Sequence, residues 1–295
     1  MVVCTPQVRS SEGEVIVSVA VAAGAYLHHL ELESGDPAAL AEFYGRAIDM
    51  AVERMGTGFI CRGPARVMLF KKGKANRLSY AAFACRDEAA LEILRAHVQK
   101  QKIKIIPSPS ALFDRRAFAV QDPEGNRMVF GVSDEPLDPI RRRGPIHGPL
   151  QHVTVTSTNM TAIEDFYVKL GFAVSDRVRN DQGAVTTCFL RCNHEHHTVA
   201  IFLKSEAGLD HHSYEAGEWN TIKDWADHLG GMRIPIVWGP GRHGPGNNLF
   251  IFIKDTDGNM IEISAELEVV HDRPVKEWKH EPYTLNMWGP AIMRS

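Results

Sequence analysis

Between residues 249 and 264 two apolar runs flank one polar break. Residues 249–253 are β-branched and aromatic, Asp255-Thr256-Asp257-Gly258-Asn259 is turn chemistry, and residues 260–264 resume the apolar run. This pattern predicts a β-hairpin. Glu262 breaks it: a charge inside an apolar strand is costly unless it is paired or binds a metal. We read Glu262 as a metal ligand, with His243 and a crowd of other histidines upstream.

The same pattern occurs twice along the chain. Leu27-His28-His29-Leu30-Glu31-Leu32 matches Leu150-Gln151-His152-Val153-Thr154-Val155, and at the same offset Phe43-Tyr44 matches Phe166-Tyr167. Leu78-Ser79-Tyr80-Ala81-Ala82-Phe83 then matches Leu209-Asp210-His211-His212-Ser213-Tyr214. Asp122-Pro123-Glu124-Gly125-Asn126 matches Asp255-Thr256-Asp257-Gly258-Asn259. Collinear matches with slowly growing offsets mark a duplication. Each copy divides again into two halves of strand, helix and three strands, with helices expected near 38–48, 88–101, 162–170 and 219–229. The expected fold is therefore α+β: four βαβββ units forming two tandem modules, each a cupped mixed sheet with helices outside. The boundaries read as a lead-in over 1–25, a first module over 26–134, a Pro-rich linker over 135–149, a second module over 150–268 and a tail over 269–295.

Composition narrows the function. At 295 residues and 44% hydrophobic, the chain is long enough for two ordinary domains. Lys plus Arg total 33 against 36 for Asp plus Glu, and the one dense basic run, Arg141-Arg142-Arg143, falls in the linker. No nucleic-acid partner is expected from that balance. The apolar run over 14–24 follows acidic Glu12 and is too short for a membrane span, so it reads as a strand lead-in. Five cysteines without framework spacing point to a reducing cytoplasm.

The duplication supplies an internal control for the chemistry. Where the second copy has His152, His212 and Glu262, the first has His29, Ala81 and Val129. Two histidines and a carboxylate facing one cavity make the facial triad of non-haem Fe(II) oxygenases, and they also suit Mn(II) or Zn(II). His211 and His212 are neighbours on a strand, so only one of them can face that cavity. The cluster Cys188, Cys192, His194 and His196 lacks a second clean pair, which argues against a zinc site. The glycines at 239, 241, 244 and 246 precede a strand instead of opening a helix, so they are no phosphate loop.

Residues 150–156, 197–214 and 239–263, above all Gly-Arg-His-Gly at 241–244 with Asp-x-Asp-Gly-Asn-x-x-Glu at 255–262, resemble the type I extradiol ring-cleaving dioxygenases of the vicinal oxygen chelate superfamily. The resemblance implies an Fe(II)-dependent enzyme that opens a catechol-like ring beside its diol, with dioxygen as co-substrate and Mn(II) as the other candidate ion. It selects His212 with His152 and Glu262 as ligands, makes His197 the distal acid–base histidine, and puts His243 beside a substrate oxygen. It places Thr154, Tyr214, Asn247 and Phe252 in the substrate pocket, the last where the family carries a tyrosine. It also implies a homo-oligomer; the aromatic-rich tail reads as a lid over the pocket or an oligomer contact, with the resemblance favouring the lid. The rival expectations are the same fold acting on a hydroquinone or other non-catechol substrate, and a non-catalytic protein that sequesters aromatic ligands.

Overall fold

The computed structural model describes residues 7–9, 15–134 and 148–293, the stretches 7–9 and 15–17 as backbone alone. Most of the expected linker, with Arg141–Arg143, lies outside the described residues, as do Cys4 and much of the lead-in. The apolar lead-in is not one strand. Val15–Val17 pairs with Gln7–Arg9, and Val19–Ala22 then turns into a short helix. The Ser18 side chain caps that helix by accepting from the Val21 N–H at 3.4 Å.

Four βαβββ units follow in order. The first runs from strand Tyr26–Ser34 through helix Pro37–Ala47 to strands Ala51–Met55, Gly58–Gly63 and Arg66–Lys72. The second begins with Arg77–Ala84 and helix Glu88–Lys100, and the third with Leu150–Ser157 and helix Met160–Leu170. The fourth has strand Gly208–Glu215, helix Trp219–Gly231, and strands Trp238–Arg242, Leu249–Lys254 and Met260–Ala265. Each pair of units shares one sheet, of eight strands in the first module and nine in the second. The ninth strand, Lys276–Lys279, comes from the tail and pairs in parallel with Ala173–Arg179.

Local chemistry starts three of the main helices where the pattern puts them. Asp36, Asp87 and Asn159 accept from the N–H groups of Ala39, Ala90 and Ala162 at 3.2, 2.8 and 3.1 Å. Apolar residues at helical spacing then face the sheets: Leu40, Ala41 and Tyr44 in one helix, Met160, Ile163, Tyr167 and Leu170 in its repeat. Helix Met160–Leu170 ends at Gly171, whose φ of 106° suits glycine; a Cβ there would sit 3.2 Å from the Ala20 nitrogen.

The convex faces of both sheets and their helices merge into one large core, while the concave faces carry smaller separate clusters. Across the join the duplication becomes a reciprocal contact. The Tyr44 hydroxyl of the first module donates to Asp255 Oδ2 of the second at 3.2 Å, and Tyr167 of the second donates to Asp122 Oδ2 of the first at 3.1 Å. Both aspartates also organise their own turns, since Asp255 Oδ1 accepts from the Asp257 and Asn259 N–H groups and Asp122 Oδ1 from those of Glu124 and Asn126.

Candidate metal centre

Two β-bulges decide which side chains enter the second cup. Strand Leu150–Ser157 pairs antiparallel with Gly208–Glu215, but Gln151 is an extra residue between the pairs Leu150↔Tyr214 and His152↔Ser213. Asp210 is likewise extra between Thr154↔His211 and Val155↔Leu209. An extra residue breaks strict alternation. Leu209, His212 and Tyr214 consequently point to the convex core, and His211 and Ser213 to the cup. Strand Met260–Ala265 adds Glu262 beside Ser213 on the concave face.

His152, His211 and Glu262 therefore meet, their ligand atoms all within 4.8 Å of one another. His152 Nε2 lies 3.1 Å and His211 Nε2 3.4 Å from Glu262 Oε2, and the two nitrogens are 3.2 Å apart. His212 does not join them, which corrects the ligand set expected from sequence. It is fully buried on the other face, with Nε2 3.0 Å from the Tyr44 hydroxyl. Burial, with His211 and His152 close by, lowers its pKa to about 3, so it sits in the module join as a neutral ring.

The two bulge residues also hold the ligand rings. Gln151 Oε1 contacts His152 Nδ1, and Asp210 Oδ1 lies 2.7 Å from His211 Nδ1. Both are acceptors, so each claims the Nδ1 proton and leaves an Nε2 lone pair aimed at the centre. On Glu262, Oε1 accepts from Asn248 Nδ2 at 3.2 Å and faces His243 Nε2 at 3.4 Å, which leaves Oε2 to the histidines. Burial pushes the Glu262 carboxyl upward, but the imidazoles of His152, His211 and His243, close around it, together outweigh that and hold it well below its ordinary value. Three electron-pair donors thus converge in a buried site. A divalent cation satisfies all of them, and the donor set fits Fe(II) or Mn(II).

A cavity of about 30 Å³ adjoins this cluster. Phe189, Ala200, Phe202 and Leu285 are among its apolar walls, and Thr154, His197, His243 and Asn248 its polar ones. Thr154 stands where expected. Asn247 does not: it is exposed in the turn Pro245–Asn247 at a φ of 53°, and its neighbour Asn248 takes the inward place. Tyr214 is likewise corrected, buried in the convex core against His212. Phe252 pairs across the hairpin with Glu262, as the turn predicts, but it does not line this cavity as expected: its ring is buried against Trp238 and meets His211 edge-on at 5.3 Å.

His197 packs its ring 4.3 Å from that of His152, while His243 donates from Nδ1 to the Leu285 carbonyl at 2.5 Å. Burial, reinforced by His152, holds the His197 pKa well below the usual imidazole range. The tail reaches the cavity through Thr284 and Leu285, the end of a helical turn, Pro282–Leu285. Cys188 and Cys192 are buried free thiols; Cys192 Sγ contacts the Ala25 carbonyl at 3.2 Å, and neither belongs to the ligand cluster found among the described residues.

The first cup shows the same scaffold without the ligands. Its bulges fall at His28 and Ser79, and His29, Tyr80 and Val129 occupy the places of His152, His211 and Glu262. His29 Nε2 bonds Ser110 at 2.8 Å, and Phe113 packs on its ring at 5.0 Å. Apolar filling replaces the acid.

The chain matches the Glyoxalase/Bleomycin resistance protein/Dioxygenase superfamily over residues 26–130 and 150–263. It is 24% identical over 247 residues to metapyrocatechase 2 of Cupriavidus necator, covering 76% of this chain and 75% of that one. It is 26% identical over 153 residues to the manganese-dependent 2,3-dihydroxybiphenyl 1,2-dioxygenase of Geobacillus genomosp. 3, covering 48% and 49%. Among solved structures, homoprotocatechuate 2,3-dioxygenase from Arthrobacter globiformis shares the fold with a TM-score of 0.79 at 20% identity, over 91% of this chain and 88% of that one. The matched segments fall one in each cup, and the chain belongs to the glyoxalase/bleomycin resistance protein/dioxygenase superfamily.

Proposed function

We propose that the protein is an extradiol dioxygenase that opens the ring of a catechol-like compound beside its diol, both atoms of dioxygen entering the product. His152, His211 and Glu262 hold Fe(II), or Mn(II) as the alternative. The observation that carries this reading is the convergence of two Nε2 lone pairs and a carboxylate at 3.1–3.4 Å, with both Nδ1 protons already claimed. When bound, the metal supplies Lewis-acid activation of the diol and electron exchange with dioxygen.

The chain's own residues bind and orient the ring and manage its protons. Phe189, Ala200, Phe202 and Leu285 line the cavity next to the ligand cluster with apolar surface, and the cavity widens when an aromatic ring enters. His197, neutral in its buried place, takes a diol proton as the base. His243, fixed through Leu285, stands at the opposite side of Glu262 to meet a substrate oxygen. Thr284 and Leu285 roof the cavity and exclude water, the lid role we assign to the tail. Exposed Tyr283 and Trp288 on that tail offer apolar surface for a homo-oligomer. The four buried free thiols suit a reducing cytoplasm, and no described helix is long and apolar enough to cross a membrane.

The test is metal content after anaerobic loading with Fe(II), then oxygen uptake with a panel of catechols. The expected outcome is about one metal per chain and a yellow ring-opened product. His211→Ala and Glu262→Ala lose the metal, and His212→Ala keeps it. Retained iron without uptake would turn the search to hydroquinones and other non-catechol substrates. A wild-type chain that takes up no metal would sink the oxygenase reading and favour sequestration of an aromatic ligand.

A further inference from the structure

The loop between strands Val185–Arg191 and Val199–Leu203 folds a second histidine, His196, over the concave face behind His197. Asp176 lies on that face at the next strand, paired with Phe189. Both His196 and Asp176 are fully buried. Asp176 Oδ2 is 3.0 Å from His196 Nε2, in a bent contact off the ring N–H axis, and His196 Nδ1 is 2.9 Å from His197 Nδ1. Trp278 Nε1 donates to Asp176 Oδ2 at 2.7 Å, and Arg273 Nη1 lies 2.9 Å from Oδ1. The carboxylate is thus held on three sides.

We propose that Asp176 and His196 are positioning residues that fix which nitrogen of His197 carries its proton; this rests on the reading of His197 as the base. An aspartate accepts only, so His196 keeps its proton on Nε2 and presents a lone pair at Nδ1. Two Nδ1 atoms in contact need one proton between them, and His197 supplies it. His197 Nε2 is then bare toward the cavity, ready to receive the proton of a diol hydroxyl while the oxygen keeps the electron pair. The resulting imidazolium donates through Nδ1 into the same chain, as a buried acid steadies the histidine of a hydrolase triad.

The substitution belongs at His196, because Asp176 also anchors the tail through Arg273 and Trp278. Nitrogen-15 NMR of the histidine-labelled, metal-free full chain at alkaline pH reads the tautomer directly. The expected result is Nδ1–H on His197 in the wild type, shifting toward Nε2–H in His196→Leu. His196→Asn, whose Oδ1 stands near the place of Nδ1, restores the wild-type pattern. In the Fe(II)-loaded enzyme His196→Leu lowers kcat about tenfold to a hundredfold with KM and metal content held, and His196→Asn recovers most of the loss. In a His197→Ala background the same change costs nothing further. An Nε2–H tautomer in the wild type, or an equal loss in both backgrounds, overturns the inference. Ring cleavage that survives His197→Ala would instead remove His197 as the base, while the NMR result still decides the tautomer.

Discussion

Glu262 works with both of its oxygens. Oε2 faces the two ligand histidines, while Oε1 is held by Asn248 and approached by His243, so the carboxylate cannot rotate without losing a partner on each side. Glu262→Gln keeps the shape and removes the charge. We expect metal affinity to fall by more than about a hundredfold, beyond what loss of an outer partner costs, measured by titration of the metal-free protein. Affinity within tenfold of wild type would show that the carboxylate is structural. Glu262 was legible in the sequence as a carboxylate in an otherwise apolar strand with Val129 at its repeat position, and His152 through the repeat, where His29 lacks the same partners. His211 was not, since it stands beside an equally plausible His212.

At the level of elements, the bulges turn a generic strand pair into a ligand holder. A bulge places two consecutive side chains near one face, so the extra residue, Gln151 or Asp210, stands beside the histidine it supports. Asp210→Ala is expected to weaken metal binding about tenfold to a hundredfold with little change in fold, read by calorimetric titration and circular dichroism. Unchanged affinity would mean that strand geometry alone orients His211. The first module keeps both bulges, at His28 and Ser79, so these are features of the shared scaffold and not of the candidate site alone. Helices were legible to within a few residues, since capping side chains and apolar spacing are local. Bulges were not, because an extra residue is defined only against the strand it pairs with.

At the scale of the whole molecule, two tyrosines hold the modules together across a pseudo-two-fold join. Tyr44→Phe and Tyr167→Phe each leave a buried aspartate one donor short, and we expect each to cost about 1–3 kcal/mol in chemical denaturation. The sites share no partner, so the double variant should show the sum to within about 0.5 kcal/mol. Strongly subadditive losses would show that the two contacts break together. The merged core also buries the thiols. Burial pushes Cys61 and Cys85 each up to about 12, and Cys188 well above its ordinary value. Labelling of these cysteines by a thiol reagent at mildly alkaline pH should therefore wait for unfolding, as quenched mass spectrometry would show; fast labelling in native buffer would contradict the burial.

The sequence by itself determined the duplication, the four βαβββ units, and two of the three residues that meet in the candidate metal site of the second cup. Those features depend on local periodicity, capping, and comparison of one copy with the other. Tertiary structure decided the rest. It chose His211 over His212 and put Tyr214 in the core through the bulge at Asp210, and it turned Asn248 inward through the turn at Pro245–Asn247. It also brought Asp176, His196 and the tail to one wall of the cavity. Each of these outcomes is set by pairing between segments distant along the chain, which no alternation within a single strand contains.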